Sequence, residues 1–150
     1  MDAGSGTTLA DPTMLVGIDD TDTIDSEYGT GKVSRLLGAH LAEQLPDLRW
    51  TGSVRQQLLV DPRVPYTTHN SAATLLCEVP STVARDDVIA PAASFLEEIA
   101  ADGSDPGLCV GRRSAVTDAV REFGVTAGTA VVGAALASEL ARASGLFLSE

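Results

Sequence analysis

"MLVGIDDTDT", residues 14 to 23, decides how this chain is read. Five apolar or small residues run into Asp19, Asp20 and Asp22. A short apolar run closed by a polar cluster predicts a buried strand over residues 14–18. Residues 23–31 read as a loop. From Lys32 to Leu45, the residues Val33, Leu36, Leu37, Leu41 and Leu45 fall on one face at helical spacing, and Pro46 ends the helix. A strand leading into an amphipathic helix is the start of an α/β pattern.

That pattern continues outward. Residues 49–60 read as a strand with a bulge at Gly52, and residues 71–79 as a further strand. Between them lies an extended, proline-punctuated loop over 61–70. Asp86 or Asp87 can cap a helix reaching Ala101, with Val88, Ala92, Phe95, Leu96 and Ile99 inward. "GLCVG" (107–111) is a short strand. Ser114 can cap a helix to Phe123, stopped by Gly124. A last, alanine-rich helix occupies 129–144, stopped by Gly145, and "LFL" (146–148) begins a further apolar element. Strands alternating with helices predict a single α/β domain over residues 14–150, with a mixed, partly parallel sheet flanked by helices. The long helix between the first two strands predicts a right-handed crossover. Residues 1–13, small and polar, read as a disordered tail.

Composition narrows the functional classes. The chain has 150 residues, a formal charge of −11 and 44% hydrophobic residues. That is enough apolar material for one packed core. An acidic domain is a poor match for a nucleic-acid backbone, so nucleic acid is not an expected partner of this chain alone. Acidity suits a divalent cation or a small cationic metabolite. No apolar run is long enough to span a bilayer and no signal peptide is visible, so a membrane is not expected. Cys77 and Cys109 read as buried free thiols, which points to a reducing, cytoplasmic setting. His40, within a helix, reads as a surface or half-buried residue.

Three side-chain groups can carry chemistry. Asp19, Asp20 and Asp22 repel one another, at roughly 2–3 kcal/mol per pair of charges about 6 Å apart. Either they form a solvated acidic turn, or a Mg²⁺ ion neutralises them at the C-terminal edge of the first strand. On the second reading, Asp19→Ala leaves the ligand-free fold as stable as before, or more so. Next, "YGTGKVS" (28–34) invites a phosphate-loop reading that fails. Ser26 stands where that motif needs glycine, and Val33 follows Lys32 where it needs Ser or Thr. Gly29, Gly31 and Lys32 still offer close backbone approach, helix N–H groups and a positive charge to an anion. Otherwise they are a loop with a solvent-facing lysine. Third, Thr67, Thr68, His69 and Asn70 crowd one short loop before a strand, which suits hydrogen bonding to a ligand or simply a polar turn.

The order of these motifs resembles the N-terminal kinase domain of archaeal tRNA-isoleucine agmatidine synthetase. "VGIDDTD" is similar to that family's Gly-Ile-Asp-Asp-Thr-Asp start. "DPRVPYTTHNSAATLLCEV" (61–79) is similar to its Asn-Pro-x-Ile-Pro-Tyr-Lys-Thr-Arg-Gly-Asn stretch and the strand after it. "DGSDPGLCVG" (102–111) is similar to a later Asn-Pro-Gly segment. The resemblance covers residues 14–111. It implies ATP and Mg²⁺ as cofactors, with Asp19, Asp20 and Asp22 handling metal and triphosphate. Asp20 and His69 are then the catalytic candidates, and Gly29, Gly31, Lys32, Ser34 and Asn70 the nucleotide-binding ones.

Two departures stand out. The resemblance puts Val33 at the place of a family threonine that takes up phosphate, with Ser34 and Thr30 the nearby hydroxyls. Thr67 and His69 stand where the family has Lys and Arg, so two positive charges are missing from that loop. The expected function is Mg-ATP binding, with phosphoryl transfer or ATP hydrolysis on an unidentified acceptor. The alternative is a non-catalytic, regulatory module that binds a nucleotide or a cationic metabolite.

Overall fold

The computed structural model describes residues 13–19, 30–57, 71–99, 106–127 and 133–149. In chain order the elements are β1 (Met14–Asp19), α1 (Thr30–Gln44), β2 (Arg49–Gln57), β3 (Ser71–Glu78), α2 (Arg85–Ile99), β4 (Gly107–Arg112), α3 (Asp118–Ala127), α4 (Ala134–Ser144) and β5 (Phe147–Ser149). The five strands form one sheet in the order β2-β3-β1-β4-β5.

Every described strand pair is antiparallel, which corrects the expected mixed, partly parallel sheet. The reason lies in the crossovers. β1 and β2, joined through α1, do run the same way, but β3 lies between them and pairs with both. β3 and β4, joined through α2, likewise flank β1. Two interleaved βαβ units of this kind make the split-βαβ, ferredoxin-like arrangement, with β5 added at the β4 edge.

Burial follows the period of two along each strand. In β1, Met14, Val16 and Ile18 are buried while Leu15, Gly17 and Asp19 are half-buried. The buried row continues through Ala73, Leu75 and Cys77 of β3 and Leu108 and Val110 of β4. It meets Val33, Leu37 and Leu41 of α1 and Val88, Ala92 and Leu96 of α2 in one core cluster. Both helices therefore cover one face of the sheet. Residues at alternate positions, Asp19 among them, point to the other.

Several local expectations hold. The β2 bulge falls between Trp50 and Gly52. Asp87 does serve the start of α2, though from inside its first turn rather than from the cap position before it: its Oδ2 reaches back to accept from the Ala84 N–H at 2.8 Å. Gly145 closes α4 in the left-handed region at φ 80°, and the Leu146 N–H donates to the Ala141 carbonyl at 2.9 Å. His40 is half-buried and stacks on Phe95 of α2, ring centroids 4.8 Å apart. Both cysteines are free, Cys77 buried and Cys109 half-buried.

Others do not. Gly124 does not stop a helix. Thr117 starts α3 instead, its Oγ1 accepting from the Val120 N–H at 3.3 Å, and the helix runs through Gly124 to Ala127. Residues 113–115 form only a short 3-10 turn. Thr13, placed in the tail by sequence, is tied to the sheet: its N–H donates to the Cys77 carbonyl at 2.9 Å, and its Oγ1 accepts from the Val79 N–H at 2.8 Å.

Candidate functional site

The register sets Asp19 at one end of the sheet. Asp19, the last residue of β1, lies opposite Ala72 of β3 on one side and Gly107 of β4 on the other. Gln56 of β2 lies opposite Ala72. One row across the sheet is thus Gln56, Ala72, Asp19, Gly107. At this end β1 and β2 finish and β3 and β4 begin. Five candidates, Asp20, Asp22, Gly29, His69 and Asn70, lie outside the described residues. Asp19, Gly31, Lys32 and Ser34 lie within them.

Asp19 is held by β4. Its Oδ1 accepts a hydrogen bond from the Gly107 N–H at 3.1 Å. The carboxylate therefore has a bonding partner within the fold itself. This changes the expectation for Asp19→Ala, which removes a hydrogen-bond acceptor as well as a negative charge. The "GLCVG" strand thus meets Asp19 through its first residue. Among the described residues no three His, Cys, Asp or Glu side chains gather into a metal-holding group. Asp19 is the one member of the aspartate trio that they contain.

The first turn of α1 lies on the helix-covered side. Unlike α2, which opens with Asp86 and Asp87, α1 has no acidic residue in its first turn. Basic side chains surround it instead. A Cβ on Gly31 would lie 3.6 Å from Arg55 Cδ, 3.9 Å from an Arg35 terminal nitrogen and 4.0 Å from one of Arg55. Arg55 comes from β2, where it pairs with Ala73 in the row that faces the helices. Lys32, exposed, belongs to the same turn. Three cations so placed at a helix start can hold an anion.

Ser34 and Val33 point elsewhere. Ser34 is 1% exposed and Val33 is fully buried. The Ser34 hydroxyl donates to the Gly31 carbonyl at 2.7 Å, within the helix. The structure thus brings Gly31 and Lys32 together, turns Ser34 inward, and sets Asp19 on the opposite face of the sheet, at its rim. Sequence reading passed over Arg35 and Arg55. A signal for Arg35 was present, because it lies three residues after Lys32 in a turn free of acids. Arg55 had none, since its approach to Gly31 spans a β-strand and a helix far apart in sequence.

No family model matches the chain, and no curated protein matches it. Solved structures do. A complex of the tRNA agmatidine synthetase TiaS with its isoleucine tRNA and ATP superposes with a TM-score of 0.72 at 21% identity, over 93% of this chain and 32% of that one. The chain shares the fold of part of TiaS. The TiaS complex with the same tRNA, AMPCPP and agmatine gives a TM-score of 0.71 at 18% identity, over 92% of this chain and 32% of that one. A tRNA fluorescent labeling enzyme gives 0.68 at 22% identity, over 91% and 31%. The chain spans about a third of the length of each of these proteins. The likeness to TiaS is one of fold. Among the described residues no helix is long and apolar enough to cross a membrane.

Proposed function

We propose that this chain binds a nucleoside triphosphate with Mg²⁺ at the sheet end where β1 closes and α1 opens. The observation that carries the reading is the convergence of Arg35 and Arg55 on Gly31 in an acid-free first turn. In a chain of net charge −11, guanidinium groups drawn from a helix and a strand to one glycine make a local positive patch that suits an anion. A polyphosphate fits. The TiaS neighbours were solved with ATP and with AMPCPP, which supports the same choice.

Asp19 supplies a hard oxygen of the type Mg²⁺ takes, at the rim of the sheet, and Asp20 and Asp22 follow it in sequence. Bound there, Mg²⁺ would neutralise phosphate charge. The work of this chain's own residues is positioning: Arg35, Arg55 and Lys32 bind the phosphates, and the Gly31 backbone permits close approach. His69 and Asn70 are proposed to orient the γ-phosphate or an acceptor, with Asp20 as the carboxylate next to the reacting group.

Binding without turnover is a second reading, favoured by the inward side chains of Val33 and Ser34. Neither presents a hydroxyl to a phosphate at the start of α1.

Calorimetry with ATP, in Mg²⁺ and in EDTA, tests the first claim, and phosphate release tests the second. Micromolar, Mg²⁺-dependent binding supports the nucleotide reading, and no heat with either form rejects it. Binding with release supports phosphoryl chemistry, whereas binding alone supports the regulatory module.

A further inference from the structure

We propose that Gly107 is a positioning residue, which holds the Asp19 carboxylate in the orientation needed to take a Mg²⁺-nucleotide. This rests on the reading of Asp19 given above. Two properties of Gly107 act together. Its N–H donates to Asp19 Oδ1 at 3.1 Å. Its missing side chain leaves the space that the carboxylate occupies, because a Cβ there would lie 2.4 Å from Asp19 Oδ1 and 3.4 Å from Cγ. No real Cβ sits that close to an oxygen, so a residue with a side chain at 107 forces the carboxylate to another rotamer and off its donor.

The glycine is not required by backbone conformation. Gly145 is the one described glycine with a positive φ, so position 107 does not need glycine to avoid strain. What approaches Gly107 is the carboxylate of Asp19. With Oδ1 on the β4 backbone, that bond sets the direction in which Oδ2 faces. Mg²⁺ demands near-ideal octahedral geometry, and groups that orient a metal's carboxylate ligands typically govern affinity by tenfold or more.

The contrast with Gly17 supplies a control. It lies on β1 and on the same face as Asp19, and a Cβ there meets Cys109 Cβ at 3.7 Å, an ordinary contact.

The test is calorimetry with ATP, in Mg²⁺ and in EDTA, on four proteins: wild type, Gly107→Ala, Gly17→Ala and Asp19→Asn. Gly107→Ala should weaken Mg-ATP binding about tenfold while the weaker, metal-free ATP binding is unchanged. Asp19→Asn should do likewise, although its side-chain oxygen still accepts from the Gly107 N–H. Gly17→Ala should bind as wild type does. Mg-ATP affinity of Gly107→Ala within twofold of wild type overturns the inference and leaves the nucleotide reading standing. Equal losses with and without metal, or a matching loss in Gly17→Ala, also overturn it, because the effect is then general damage. No binding by wild type rejects the nucleotide reading, and the inference with it. Should Gly107→Ala not fold, the Gly107 amide resonance decides. It should move on adding Mg-ATP to wild type and stay in place in Asp19→Asn, and a static resonance in wild type refutes the role.

Discussion

Arg55 of β2 lies across Gly31 of α1, its Cδ 3.6 Å from where a Cβ would project. The stem of the arginine thus passes over Gly31, and the guanidinium is delivered to the helix start. Arg55→Ala should weaken ATP binding on the order of tenfold, the loss of one charge-assisted contact to phosphate. Arg55 is exposed, so its melting temperature should stay close to that of wild type. Calorimetry at two salt concentrations checks this, since the wild-type affinity should fall more steeply with salt than the variant's.

Gly38 and Trp50 make a second close approach. A Cβ at position 38 would stand 2.4 Å from Trp50 Cδ2 and 2.5 Å from Cε2. The indole is tied in place by Nε1, which donates to Ser53 Oγ at 3.3 Å. Two effects oppose each other in Gly38→Ala. Helix propensity favours alanine by about 1 kcal/mol, and overpacking costs roughly 1–3 kcal/mol. The net change should be destabilising by about 1 kcal/mol in urea unfolding. In a Trp50→Ala background the clash is gone, and the same substitution should stabilise by about 1 kcal/mol.

Burial pushes the Cys77 thiol up to about 12, from an ordinary 9.0. Between those values the unfolded chain has lost a proton that the folded chain keeps. Folding is therefore favoured in full below the ordinary value, and that contribution drains away as pH rises toward the folded one. Cys77→Val removes it. The stability difference between Cys77→Val and wild type should be flat at neutral pH and move in the variant's favour above pH 9, the ordinary thiol value. Cys109 is raised too, by burial and then by the negative charge of Asp19, so some alkaline loss should persist in the variant. Urea midpoints across the alkaline range measure it.

Gly145 ends α4 at φ 80°, where a Cβ is strained. Gly145→Ala should cost about 1 kcal/mol and Gly145→Asn less, because asparagine tolerates the left-handed region. Thermal melts of the two variants give the order. An alanine variant as stable as wild type would mean that the helix end relaxes without loss.

Sequence alone determined the elements whose signal is local. Val33, Leu37 and Leu41 recur at helical spacing, so α1 was legible, and the inward residues of α2 were legible for the same reason. Glycine at 145 marked a helix end. Glycine at 124 did not, because α3 begins later, at Thr117, and a helix already under way tolerates one glycine at a cost of about 1 kcal/mol. Tertiary structure decided what depends on partners distant along the chain. Periodicity says that β1 is a strand, but not that β3 and β4 flank it, and so the sheet proved antiparallel rather than mixed. The same holds for the candidate site. Asp19 was conspicuous as one of three neighbouring carboxylates, yet its bond to Gly107 joins residues 88 positions apart. Arg55 meets Gly31 only because β2 returns beside β3 under α1. Local spacing is written in the order of residues, whereas these approaches arise from burying two helices on one face of a sheet, and that face exists only once the strands have paired.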